Sequence, residues 1–419
     1  MILRKFLLAI VLFCSITAYC NQQDKIAGAI IVSAVGDALG RVTEFIDTTF
    51  KIQQKYGAQG ITSFADFKPT DVIHNKALYT DDTLMAKILL EEALKAKQNN
   101  LSDELFIGNY ALRCSELFGK KSMSVDPYCY YRAHGPTNIN AGQVLEALFE
   151  LQLQAKKEAE EKKEQKEIDP CWWDRNRANQ QALYGEILKE GGCGSVMRAW
   201  PLGLLYGNDT NHLCILADKQ SQLTHRHPMA RAASCAIACG VAEALHGKSL
   251  EEIVQKMVEV AEQFDSEEKT YKPQAIKLDK NNSLYDPNLI AKDQLLTSDM
   301  IWYAYQMAVQ GYTPNLVLGV NNQKQRNYRS PHGYLLGWSA DEAVAAAVYV
   351  FARHSKNCHA ALIEAVNTPG DSDSIATLAG ALVGAYNGLE VFNAQFNYSI
   401  LENRQELLAL AKKTSELIK

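Results

Sequence analysis

Apolar positions along this chain recur at helical spacing, and several runs are apolar on every side. Residues 26–39 (IAGAIIVSAVGDAL) form one such run, closed by Gly40, a natural C-terminal signal for a helix. In residues 84–97, Leu84, Met85, Ile88 and Leu89 fall on one face, while Lys87, Glu91, Glu92 and Lys95 lie elsewhere. That pattern predicts an amphipathic helix behind Thr80-Asp81-Asp82. Residues 102–119 and 141–154 keep the same period. MARAASCAIACGVAEALHG after Pro228, residues 339–353 and residues 358–366 read as further helices. The segment behind Gly370-Asp371-Ser372-Asp373-Ser374 is apolar all round, with glycines 380, 384 and 388 on one narrow stripe. Such a helix belongs in the interior and admits another backbone at close range. Residues 56–71, with Gly57, Gly60 and Pro69, read as loop. No stretch alternates as a strand does and no βαβ spacing appears, so the chain is predicted to be all-α.

Two polar tracts interrupt this pattern: a charged one at about 155–168, which reads as a solvated helical extension or surface insertion, and a loop-rich one at about 265–300, which reads as an insertion. No linker-like break or internal repeat divides the rest, so residues 21–419 are read as one domain. The first twenty residues stand apart. Arg4 and Lys5 precede an apolar run at 6–13, and Ser15, Thr17 and Ala18 lead to Cys20. This is the make-up of a secretory signal peptide, with cleavage expected before Asn21 and export to a secreted or periplasmic location. A lipid anchor at Cys20 is disfavoured by the sequence 16–19, and no membrane span is expected once the leader is removed.

Composition adds limits rather than chemistry. A net charge of −5 over 419 residues gives no reason to expect a stable nucleic-acid partner. Eight cysteines follow residue 20, which an exported chain can use for disulfides, but no CxxC pair suggests a zinc ribbon.

The chemistry lies at two helix starts, Thr80-Asp81-Asp82 and Asp371-Ser372-Asp373-Ser374. Each alone reads as a helix cap with acids that suit the dipole. If the two starts converge, four carboxylates and two hydroxyls share one small volume. Like charges that close stay ionised only around a cation, and an all-oxygen set suits Mg²⁺, Mn²⁺ or Ca²⁺ rather than zinc.

Five stretches in order carry a resemblance: GAIIVSAVGDALG, YTDDTLMA, GGCGSVMRAWPLGLLY, LTHRHP and NTPGDSDSIATLAGALVGAYNG. Together they resemble the ADP-ribosylglycohydrolase family, which includes dinitrogenase-reductase-activating glycohydrolase and ADP-ribosyl-acceptor hydrolases. The resemblance implies a compact, all-α domain with a central buried centre of two Mg²⁺ or Mn²⁺ ions, and the chain is expected to be a monomer. It implies hydrolysis of the glycosidic bond between ADP-ribose and a modified acceptor, so the expected partner is an ADP-ribose-containing substrate such as an ADP-ribosylated protein. By position, Thr80, Asp81, Asp82, Asp371, Asp373 and Ser374 resemble the metal ligands, with Ser374 standing where threonine is usual. Asp81, Asp373 and Glu44 are the catalytic candidates, Glu44 matching the acid of a mobile flap. Gly192, Cys193, Gly194, Ser195 and Met197 resemble the loop that contacts the distal ribose and diphosphate, and His225 a histidine near the diphosphate. Cys193 replaces the usual asparagine. Two other readings are carried forward: a cysteine hydrolase using Cys193 with His225, and a catalytically silent ADP-ribose binder or crystallin-like structural protein.

Overall fold

The computed structural model describes residues 22–118, 122–162, 165–174, 191–275, 295–319 and 334–418, so the leader read at residues 1–20 lies outside it. Among the described residues, thirteen helices of eight or more residues carry the chain, and β structure is limited to isolated bridges. In order they are α1 (residues 22–40), α2 (Thr49–Tyr56), α3 (Asp81–Asn99), α4 (Asp103–Phe118) and α5 (Pro136–Glu161). There follow α6 (Thr210–Gln222), α7 (Pro228–Leu245), α8 (Leu250–Glu262) and α9 (Thr297–Val309). The last four are α10 (Ala340–His354), α11 (Cys358–Val366), α12 (Ser372–Asn387) and α13 (Arg404–Leu417). The all-α expectation is met. No described helix is long and apolar enough to cross a membrane.

The centre of the molecule is α12, buried continuously from Ser372 to Ala385 and packed by α7, α10 and α11. A further neighbour is α1, which runs antiparallel to it. Gly28 faces Gly384, Gly36 faces Ala376 and Gly40 faces Asp373. A Cβ on Gly380 would stand 2.7 Å from Val32 O, and one on Gly384 would overlap Gly28 O. The glycine stripe legible in the sequence is thus where two main chains touch, and its partner is α1.

Gly40 does end α1, but by a different physical route from the one its residue type suggests. Its φ is not among the positive ones; a Cβ there would collide with the Asp373 backbone. Gly40 is required by contact, not by a left-handed cap.

Three local features complete the picture. Helix α2 forms ahead of the 56–71 segment, with the Thr48 hydroxyl accepting the Lys51 N–H. The charged tract begins as a continuation of α5 through Glu161. The polar tract at 265–300 is anchored in the core at both ends. Lys272 pairs with Glu268 at 3.1 Å and with Asp341 of α10 at 3.0 Å, and residues 297–300 are the buried first turn of α9. Hydrophobicity alone hides such anchors because the buried groups are charged and satisfied by one another. All eight described cysteines stand as thiols.

Candidate metal centre

Helix α1 brings the two acidic helix starts together. Its Asp37, fully buried, accepts the backbone N–H groups of Thr80 and Thr83, each at 2.8 Å, and the Thr80 hydroxyl at 2.9 Å. These are N–H groups that the first turn of α3 leaves without intrahelical partners. Of the other two N–H groups of that turn, the one on Asp81 goes to the carbonyl of Arg132 at 2.9 Å and the one on Asp82 to the Thr80 hydroxyl at 3.3 Å. Arg132 is itself buried and fixed by Asp126 and Glu402, both at 2.7 Å. At the same C-terminal end, α1 lies on the backbone of Asp373 through Gly40. One helix therefore sets both α3 and α12.

At the start of α12, Asp371 is the N-cap, its Oδ1 taking the Ser374 N–H at 3.4 Å, and Asp373 Oδ1 takes the same N–H at 3.0 Å. Capping and clustering coexist. Above them passes the turn at residues 41–45, whose Thr43 hydroxyl lies 2.7 Å from Val366 O and 3.0 Å from Ser372 Oγ. That root holds Glu44 inward: oxygens of Glu44, Asp371 and Asp373 lie within 4.8 Å of one another. Glu44, matched by resemblance to the acid of a mobile flap, thus stands beside the carboxylates assigned as metal ligands.

The cluster lines a cavity of about 240 Å³ together with Asp81, Asp82 and Ser374. Glu44 Oε2 and Asp82 Oδ1 are buried there without a hydrogen-bond partner. Burial, then repulsion from Asp373 and the other acids, pushes Asp82 and Glu44 well above the usual carboxylate range. Burial and Asp373 do the same to Asp371. Oxygen donors, orphaned carboxylate atoms and crowded like charges are what a site for hard divalent cations requires. The residues present fit such ions.

Opposite the acids runs the glycine loop. Cys193 N–H donates to Trp338 O at 3.2 Å and Ala340 N–H to Gly191 O at 3.0 Å, so the loop is laid along the strand-like segment before α10. Gly192, Cys193, Gly194, Met197 and His225 all line the cavity. A Cβ at Gly194 would come within 2.7 Å of the His225 ring, so the loop needs glycine there. His225 is held by Thr224 Oγ1 at 2.7 Å from Nδ1, and burial followed by the Arg198 charge brings its pKa down to about 3. Arg198 is fully buried on Gln220 and Thr224, and among the described residues it makes no ion pair.

Two residues in the resemblance face elsewhere. The Ser195 hydroxyl is buried against Ser221 Oγ at 2.9 Å, and the Thr80 hydroxyl is spent on Asp37 and Asp82. Neither lines the cavity. The Cys193 thiol donates to Asp371 Oδ2 at 2.9 Å rather than to His225, and burial beside carboxylates pushes its pKa well up. A thiol so held is a poor nucleophile, which removes the support for a cysteine hydrolase.

Several site residues carried no weight in the sequence reading. Asp37 holds α3. Asn138 donates to Asp81 Oδ2 at 3.1 Å, and His134 lies 3.4 Å from the same oxygen. Phe45, exposed on the turn beside Glu44, stacks on Trp338 at 6.2 Å across the cavity mouth. Only Asp37 left a readable signal, as the one carboxylate inside an apolar run.

Comparison with known proteins agrees with this architecture. A chain of an "ADP-ribosylglycohydrolase-related protein complex" superimposes over 95% of this chain and 99% of its own length, with a TM-score of 0.52. At 23% identity, that likeness speaks for the fold. No curated protein matches the sequence. The ADP-ribosylglycohydrolase family pattern, however, matches residues 20–419, nearly the whole chain. The chain therefore belongs to the ADP-ribosylglycohydrolase family.

Proposed function

We propose that this protein hydrolyses the glycosidic bond that joins ADP-ribose to a modified acceptor, using two Mg²⁺ or Mn²⁺ ions. The observation that carries the reading is the meeting of two acidic helix starts and Glu44 in one buried cavity opposite a glycine loop. Asp81, Asp82, Asp371, Asp373 and Ser374 would hold the ions, with Thr80 contributing if its hydroxyl turns from Asp37. When bound, such ions neutralise the cluster, chelate a ribose diol and make water a better nucleophile.

The chain's own groups supply the rest. Main-chain N–H groups of the loop at 192–194 suit a diphosphate. His225, neutral because it is buried beside Arg198, offers a ring edge to that loop without adding charge. Cleavage at the ribose C1 passes through an oxocarbenium-like state and needs a proton for the leaving atom. Glu44, which its surroundings favour in the protonated form, can deliver that proton or take one from water. The cavity of about 240 Å³ is below the roughly 300–1,000 Å³ usual for small-molecule sites, so Glu44 and Phe45 must swing aside to admit a nucleotide. Closure of Phe45 onto Trp338 would then shut water out.

The test is a panel of arginine-linked, serine-linked and nucleic-acid ADP-ribose adducts, poly-ADP-ribose and O-acetyl-ADP-ribose, with Mg²⁺ or Mn²⁺ supplied and ADP-ribose release followed chromatographically. Release is expected from at least one substrate and is expected to vanish with chelator, with Asp81→Ala and with Asp373→Ala. Undiminished release from both variants would overturn the reading. We further propose export through residues 1–20, on the strength of Arg4, Lys5 and the apolar run behind them. The mass of the mature N-terminus, beginning at Asn21, checks it.

A further inference from the structure

We propose that Cys193 makes this centre a site for a thiophilic divalent cation of the Zn²⁺ or Cd²⁺ class, held by the Cys193 sulfur together with the Asp371 carboxylate and in competition with the hard ions. The inference rests on the acidic cluster being a cation site, as argued above, and adds a second class of ion to it. The Cys193 Sγ stands 2.9 Å from Asp371 Oδ2 and accepts the Ser374 hydroxyl at 3.7 Å, so it touches two residues assigned as ligands. Glu44 approaches the same Asp371 within 4.8 Å, and its Oε2 is buried with no partner. Asp82 Oδ1 is a second buried, unpartnered oxygen in the same cavity.

Donor atoms around a tetrahedral zinc ion stand roughly 3–4 Å apart, so sulfur and carboxylate need to part by less than about 1 Å to admit the ion between them. The remaining positions are left to the unpartnered carboxylate oxygens of the cavity and to water. A set made only of oxygen prefers hard ions, whereas one thiolate shifts the preference toward softer ones. Binding breaks the S–H bond, forms a sulfur–metal bond and releases that proton to the buffer; no oxidation state changes.

The experiment is a titration of the metal-stripped full chain with Cd²⁺ alone, followed by the near-ultraviolet thiolate-to-cadmium absorption and by proton release. Cys214 and Cys239, whose sulfurs lie 3.6 Å apart between α6 and α7, are the competing thiols, so Cys214→Ser serves as the control. Expected is a band at one equivalent that survives Cys214→Ser, disappears in Cys193→Asn and Cys193→Ser, and moves to higher Cd²⁺ concentration as Mg²⁺ is added. Cd²⁺ affinity of the Cys193 variants should fall at least about tenfold. Circular dichroism and a retained Mg²⁺ response show that these variants are folded. A band that persists without Cys193, or that Mg²⁺ does not shift, overturns the inference. The glycohydrolase reading is separable: Cd²⁺ binding as expected with no ADP-ribose release from any substrate would sink that reading and leave this one standing, and the converse holds.

Discussion

The carboxylate of Asp37 on α1 receives the backbone N–H of Thr83 on α3 at 2.8 Å, so the helix carrying Asp81 and Asp82 is capped from another helix. Its second oxygen takes the Thr80 N–H and hydroxyl. Asp37→Ala would leave these donors buried and unpaired, costing on the order of 2–4 kcal/mol. Asp37→Asn should cost less, since one acceptor oxygen remains. Because Asp37 does not line the cavity, the telling readout is a pair of measurements. Both the denaturant midpoint and the Mg²⁺ affinity should drop in Asp37→Ala, whereas a helix cap without bearing on the site would lower the midpoint alone.

Gly384→Val tests the crossing of α1 and α12. Its side chain would have to occupy the space of the Gly28 carbonyl, which neither helix can vacate without moving the acidic starts. Overpacking of this kind costs about 3 kcal/mol or more. Chemical denaturation measures it; a change below about 1 kcal/mol would mean that the helices part more readily than this contact allows.

Cation removal should destabilise the protein at neutral pH. Without ions the buried acids repel one another, and with them the fold gains about 2.7 kcal/mol at a hundredfold excess over the dissociation constant. The melting temperature should rise on adding Mg²⁺ to chelator-treated protein. Asp82→Asn removes one of the repelling charges, so in chelator it should melt above the native chain, and it should lose most of the Mg²⁺ response. A variant that melts lower in chelator contradicts this account.

His225 gives an acid-side dependence of known sign. Its pKa is about 3 in the fold and about 6.5 unfolded, so between those values the unfolded chain binds the extra proton and stability falls as pH falls. At pH 5 the loss from this group is on the order of 2 kcal/mol. His225→Asn should flatten the decline between pH 7 and pH 5 in denaturant titrations. Equal slopes in the two proteins would show that His225 is not held neutral.

What the sequence made legible was whatever its own local pattern encodes. The two acidic starts, the interior helix behind Asp371 and its glycine stripe could all be read from spacing and residue type. Convergence could not, because it depends on Asp37 reaching a helix more than forty residues later. Nothing in the local sequence of either partner encodes that distance. Phe45, Trp338, Asn138 and His134 were illegible for a similar reason: their importance comes from what lies across the cavity. The Ser195 and Thr80 hydroxyls show the reverse. Their motif was recognisable, yet neighbouring helices draw both side chains away from the open space.

The pairing of residue 28 with residue 384 also fixes when this centre can exist. A growing chain carries Asp81 and Asp82 long before Asp371 and Asp373, and the glycine face of α1 has no mate until α12 has been made. A chain that stops short of α12 therefore holds half of the acidic cluster beside a helix whose glycine face is bare. The acidic cluster is therefore complete only once α12 has packed against α1.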